Sequence, residues 1–130
     1  MSRTIVHRSV LPLLRDLQKR RWTIFKTLTH SKPLLIGTVY DTLRRCGNPT
    51  CACAKTPTHL QTLLMSVHQG KRRCQFVRQE DLDWVRQAWE HYKEFRQALR
   101  EIRALNRKEL SLLGAQMKRK ATSYEELKRA

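Results

Sequence analysis

Between Glu80 and Lys120 the chain has no proline and a single glycine, Gly114. Those two residue types break helices most often. The stretch therefore predicts one long helix over 80–120, about 40 residues and about 60 Å at 1.5 Å per residue. Glu80, Asp81 and Asp83 crowd its start, where carboxylates meet the positive end of the helix dipole. Such a rod takes nearly a third of a 130-residue chain. The remainder suffices for one small further layer, so a single domain over 1–130 is expected and a multi-domain enzyme is excluded by size. Val85, Ala88, Tyr92, Phe95, Leu99 and Ile102 recur at spacings of three and four, as coiled-coil core positions do. The register weakens beyond them, where Asn106 and Glu109 fall on the seam. Two readings follow: the stripe packs on the rest of this chain, or the distal half of the helix forms a homodimer. Trp84 and Trp89 lie off the seam and are expected to cap a sheet. Gly114 is a candidate end of the helix, which would leave Ala115 to Ala130 as a basic tail or a short extra helix.

Ahead of this rod the periodicity changes twice. Over 9–30, Val10, Leu14, Leu17, Ile24, Phe25 and Leu28 follow helical spacing, with Leu11, Leu13 and Trp22 widening the stripe. Ser9 is the expected N-cap and Pro12 fits the first turn. Ser31-Lys32-Pro33 stops this basic amphipathic helix. Over 36–78 the period becomes two: a strand from Gly37 to Arg45, a loop rich in Cys, Gly and Pro from Cys46 to Pro57, a strand from His59 to Val67 and a third from Lys71 to Val77. Gln69-Gly70 joins the last two as a hairpin in which Gly70 supplies positive φ. Three short strands need a helix to cover them. The expected fold class is thus α+β: an N-terminal helix, a small three-stranded antiparallel sheet with a cysteine-rich loop, and a long C-terminal helix, with 121–130 as a tail.

The formal charge is +16, from 27 basic and 11 acidic residues, and thirteen of the sixteen excess charges precede residue 79. A field of that sign attracts polyanions, nucleic acid first and an anionic membrane surface after it. The nearly balanced remainder reads as a solvated helix laced with opposite charges. No run approaches the roughly 18 apolar residues of a membrane span. Arg3 and Arg8 precede Val10-Leu11-Pro12-Leu13-Leu14, but Arg15 and Asp16 interrupt a signal-peptide core. A cytoplasmic protein is expected.

Cys46, Cys51 and Cys53 form C-x4-C-x-C, His59 follows, and Cys74 is the one other cysteine. Three thiols so close together in a cytosolic chain point to metal ligation rather than disulfides. Zinc prefers a closed tetrahedron of nitrogen and sulfur donors. Cys46, Cys51, Cys53 and His59 would supply it, with Cys74 as an alternative ligand, and the metal would staple the turn between the first two strands. The competing reading is reduced thiols that only pack the loop. Arg44, Arg45 and Lys55 are expected to lower the thiol pKa values, and the thioredoxin-type C-x-x-C of a redox site is absent.

Gly37-Thr38-Val39, Arg45-Cys46-Gly47, Cys51-x-Cys53, His59, Lys71-Arg72-Arg73, Glu80-Asp81, Tyr92, Phe95 and Leu105-Asn106 together resemble a family of short bacterial and archaeal proteins, a domain of unknown function, whose genes often sit beside mobile-element genes. The resemblance covers about residues 36 to 113 and implies the same fold outline and a mobile-element context. It departs from the family at Asn48, where lysine is usual, and at Leu60-Gln61-Thr62, where Gly-Pro and tyrosines are usual.

Catalysis is not expected. Before residue 80 the only carboxylates are Asp16 and Asp41, too few for a two-metal centre. Tyr40, His7, His30, His68 and His91 are scattered singly, and no phosphate-cradling loop, G-x-S-x-G or H-E-x-x-H occurs. The expected function is a nucleic-acid-binding accessory protein, a transposase or recombinase helper, with double-stranded DNA as partner. Lys19, Arg20, Arg21, Arg44, Arg45, Lys55, Lys71, Arg72 and Arg73 would meet phosphates. Single-stranded DNA or RNA stays open as a partner, though exposed aromatic platforms for it are sparse. The alternative is a protein–protein adaptor docking through the long helix on a transposase or recombinase; a membrane-surface role of the first helix ranks third.

Overall fold

The last residues before the first helix already show how local chemistry sets an element boundary. Val10 occupies the N-cap position, one residue later than expected, while the Ser9 hydroxyl accepts a hydrogen bond from the Leu11 N–H at 3.3 Å. Helix α1 then runs Leu11–Leu28 with Pro12 in its first turn, and the Thr29 hydroxyl closes it on the Phe25 carbonyl. The computed structural model describes residues 9 to 130, so Arg3, His7 and Arg8 lie outside the described residues. Strands β1 (Thr38–Arg44), β2 (His59–His68) and β3 (Lys71–Val77) form an antiparallel sheet in the order β1-β2-β3. Helix α2 spans Leu82–Lys120 and helix α3 spans Tyr124–Arg129. The fold is α+β, as the periodicities predict.

The chain divides into two compact units, one formed by residues up to His30 with those from Gln97 onward, the other by Ser31–Arg96. In the second unit, β2 and β3 are joined by two residues that both take left-handed backbone, Gln69 at φ 49° and Gly70 at φ 76°. That pair matches the right-handed twist of a tight hairpin. Gly37, at φ 128°, lies so close to β2 that a Cβ would stand 2.5 Å from the Met65 carbonyl oxygen. The same glycine's carbonyl accepts the Trp89 indole N–H at 2.8 Å. Val39, Val77 and Val85 form the core here, with Leu35, Leu64, Leu82 and Trp89 packed around them. Alternation along the strands explains the set, since Val39, Leu64 and Val77 share one face of the sheet. Asp41 adds a polar tie on that face: Thr62 donates to it at 2.6 Å and Arg86 of α2 at 3.3 Å. Trp89 thus caps the sheet as expected. Trp84 lines a pocket with Leu64, Gln75 and Val77 of the sheet, but stays 55% exposed and donates its indole N–H to Asp81 at the helix start.

In the first unit, Leu17 of α1 and Ala98 and Leu105 of α2 are buried. Glu109, a polar residue on the apolar seam, is answered by Arg21 of α1, whose guanidinium also reaches Asn106. Gly114 does not end the helix. It lies in its interior with nothing within 4 Å of where a Cβ would be, and α2 continues to Lys120. One glycine costs about 1 kcal/mol in a helix interior, too little to stop a helix most of whose turns precede it. The stop comes at Ala121–Thr122, after which Ser123 and Glu126 form a reciprocal capping box that starts α3.

Candidate metal centre

The final rung of the β1–β2 ladder pairs Arg44 with His59. The segment between them connects the two strands, so the cysteines fall at the hairpin's loop end. The loop folds by short-range hydrogen bonds. The Asn48 side chain accepts the Thr50 N–H at 3.0 Å and its hydroxyl at 2.8 Å, and its carbonyl accepts the Cys51 N–H at 3.1 Å. Ala52–Ala54 is then a single turn of 3-10 helix, opened by Cys51 and tied by the Ala54 N–H to the Cys51 carbonyl. This turn brings the sulfurs of Cys51 and Cys53 to the same side. Asn48 thus shapes the turn. Its Asx geometry was readable from Asn48-Pro49-Thr50.

Cys53 is wholly buried, and its Sγ accepts the Cys46 N–H at 3.2 Å while lying 3.3 Å from the Cys46 Sγ. The Cys51 Sγ lies 3.3 Å from the His59 Nε2. The four donor atoms of Cys46, Cys51, Cys53 and His59 all fall within 4.8 Å of one another, close enough to bind a metal ion. All four cysteines of the chain are free thiols. The Cys51 thiol is held down to about 6, first by the backbone N–H of Cys53, then by the His59 ring and the Cys53 and Cys46 thiols. Hydrogen bonds within the loop therefore lower it, rather than Arg44, Arg45 and Lys55. The Cys46 N–H favours the Cys53 thiolate too, but burial and the neighbouring thiols of Cys46 and Cys51 push the Cys53 pKa up.

Cys74 is not brought to this cluster. It sits in the middle of β3 opposite Met65, six residues along β2 from His59, and its Sγ lies 3.6 Å from the Tyr40 hydroxyl. That contact, with burial and the Cys74 charge, raises the Tyr40 pKa.

The basic residues fall in several places. Lys19 and Arg20 are exposed on α1, whereas Arg21 turns to Glu109 with 13% of its side chain accessible. Arg45 and Lys55 flank the three loop cysteines, the Arg45 guanidinium reaching the Lys55 carbonyl at 3.5 Å. Arg44 lies over the Phe76 ring at 5.9 Å. Along β3 the exposed Lys71, Arg72 and Arg73 alternate in direction, so Arg72 points opposite to its two neighbours. No helix among the described residues is long and apolar enough to cross a membrane.

Residues 14–87 match the model of a family described as a domain of unknown function, DUF6788. No curated protein and no solved structure matches the chain.

Proposed function

The chain belongs to the DUF6788 family, and from that premise we propose that it is a non-catalytic, cytoplasmic accessory protein that binds double-stranded DNA and carries a structural zinc. Its service would be to a mobile element, as helper of a transposase or recombinase. The observation that carries this reading is the juxtaposition at the loop end of the β1–β2 hairpin, where a four-donor cluster sits among Arg44, Arg45 and Lys55. Zinc suits the donors. Three thiols and an imidazole are its preferred set, and a tetrahedron with Zn–S bonds of about 2.3 Å has sulfur–sulfur edges of about 3.8 Å. The Cys46–Cys53 sulfur pair at 3.3 Å and the 4.8 Å limit on the cluster bracket that value. A metal there would hold the ends of β1 and β2 and the basic side chains around them in one geometry, so that they meet phosphates without first being ordered.

Lys19, Arg20, Arg44, Arg45, Lys55, Lys71, Arg72 and Arg73 are exposed and available as phosphate contacts. If about six engage a duplex, log K against log salt has a slope near −5. Fluorescence anisotropy with a labelled blunt duplex at several salt concentrations measures it, and a flat response overturns the reading.

A second reading is supported by Leu110, Leu113 and Met117, which are 70%, 44% and 67% exposed and share one side of α2 by their spacing. An uncovered apolar stripe fits an adaptor that dimerises or docks through this helix. Light scattering over a concentration series separates the two: a strictly monomeric protein that binds duplex disfavours the adaptor.

A further inference from the structure

The two faces of the sheet are unlike. Helix α2 covers Val39, Leu64 and Val77. On the opposite face, strand alternation sets Tyr40, Leu63 and Phe76 in one row, with Thr38, Met65 and Cys74 in the next. Phe76 remains 57% exposed there, and Val67 65%. Arg44 stacks over the Phe76 ring at one end. At the other end Tyr40, Met65, Val67, Arg72, Tyr92 and Arg96 line an open groove of about 470 Å³. The Arg96 guanidinium lies 5.6 Å from the centre of the Tyr92 ring. None of the side chains in these rows or lining the groove is acidic.

An exposed Phe76, the half-buried rings of Tyr40 and Tyr92 and three exposed guanidinium groups, with no carboxylate in the two rows or the groove, call for a partner that is planar and anionic at once. Nucleotides are both: every base offers a π-face, and every linkage offers a phosphate. A duplex buries its base faces in its own stack, so these rings can be used only by an unpaired strand. Tyr40 and Phe76 lie on strands either side of β2, about 10 Å apart by strand spacing, far enough for each to take its own base. The Tyr40 hydroxyl is held by the Cys74 Sγ at 3.6 Å, which steadies the ring.

We propose that this face binds single-stranded DNA, with Phe76 and Tyr40 as stacking platforms and Arg44, Arg72 and Arg96 as phosphate contacts. The assignment to DNA rests on the DNA-binding reading above and extends it from duplex to unpaired strand. The test is anisotropy of the full chain with a dye-labelled oligothymidylate of about 12 nucleotides, beside the blunt duplex. Phe76→Ala weakens oligothymidylate binding about 5- to 150-fold, the loss of one stacked base, and leaves the duplex unchanged. Phe76→Trp retains binding, and Arg72→Gln lowers the salt slope by about one. Thermal melting confirms that each variant is folded; Phe76 is exposed on an edge strand, so its truncation leaves no core cavity.

Unchanged oligothymidylate affinity in Phe76→Ala, or an equal loss for oligothymidylate and duplex, overturns the proposal. Tighter binding of oligouridylate than of oligothymidylate overturns the choice of DNA. A protein that binds duplex but no oligothymidylate refutes this proposal and leaves the duplex reading standing; the converse result does the reverse.

Discussion

Cys51 concentrates the chemistry of the loop in one atom. Its thiol titrates at about 6 against an ordinary value of 9.0 because the Cys53 N–H and the His59 ring favour the thiolate. The sign follows from linkage: a depressed folded pKa lends stability that is complete above pH 9 and is lost as the pH falls through about 6. In metal-free protein, iodoacetamide alkylation of Cys51 is therefore half-maximal near pH 6, and His59→Ala moves that midpoint upward. Cys53, buried with its pKa raised, stays unreactive over the same range. Peptide mass spectrometry of the alkylated protein reads both. The donors themselves were legible in the sequence, because Cys46, Cys51 and Cys53 lie within a single short loop and His59 opens the next strand. Cys74 was not, since its place depends on which residue of β2 faces it. Arg21 is a similar case: nothing beside it in sequence says that Glu109 claims it.

At the scale of the element, periodicity and capping decide what forms. The turn at Gln69-Gly70 and the bounds of β3 follow directly from local chemistry. The end of α2 does not, because one glycine is outweighed by the helical residues on both sides of it. The signal for α3 was present as Ser123-x-x-Glu126, the capping-box spacing. The Thr122 hydroxyl, followed by the Ser123 N–H, holds the Glu126 carboxyl below its ordinary 4.5. The stabilisation is thus present above pH 4.5 and is lost as the pH falls below it. Amide protection factors over residues 124–129, taken against the intrinsic exchange rate at each pH, are expected to fall on acidification. Glu126→Gln flattens that pH dependence, and Ser123→Ala weakens the cap by about 1 kcal/mol at neutral pH.

For the molecule as a whole, the Ser31–Arg96 unit joins a small valine core to a four-donor loop. A core of that size benefits from a metal staple. Chelation is expected to lower the unfolding free energy by several kcal/mol in urea titrations, and Cys46→Ser or Cys51→Ser to lower it even with zinc supplied. Elemental analysis of protein purified reduced and without chelator is expected to give about one zinc per chain. Absence of both effects would return the thiols to packing.

The order of helices and strands, the hairpin turn and the four clustered donors were determined by the amino-acid sequence alone. Each depends on residues within a few positions of one another, where periodicity, φ preference and spacing act directly. Which face of the sheet α2 covers, where Cys74 stands, what Arg21 meets and which rings stay bare were decided only by the tertiary structure. Those outcomes depend on strand register and on packing between residues tens of positions apart, and a one-residue change of register would have exchanged the two faces.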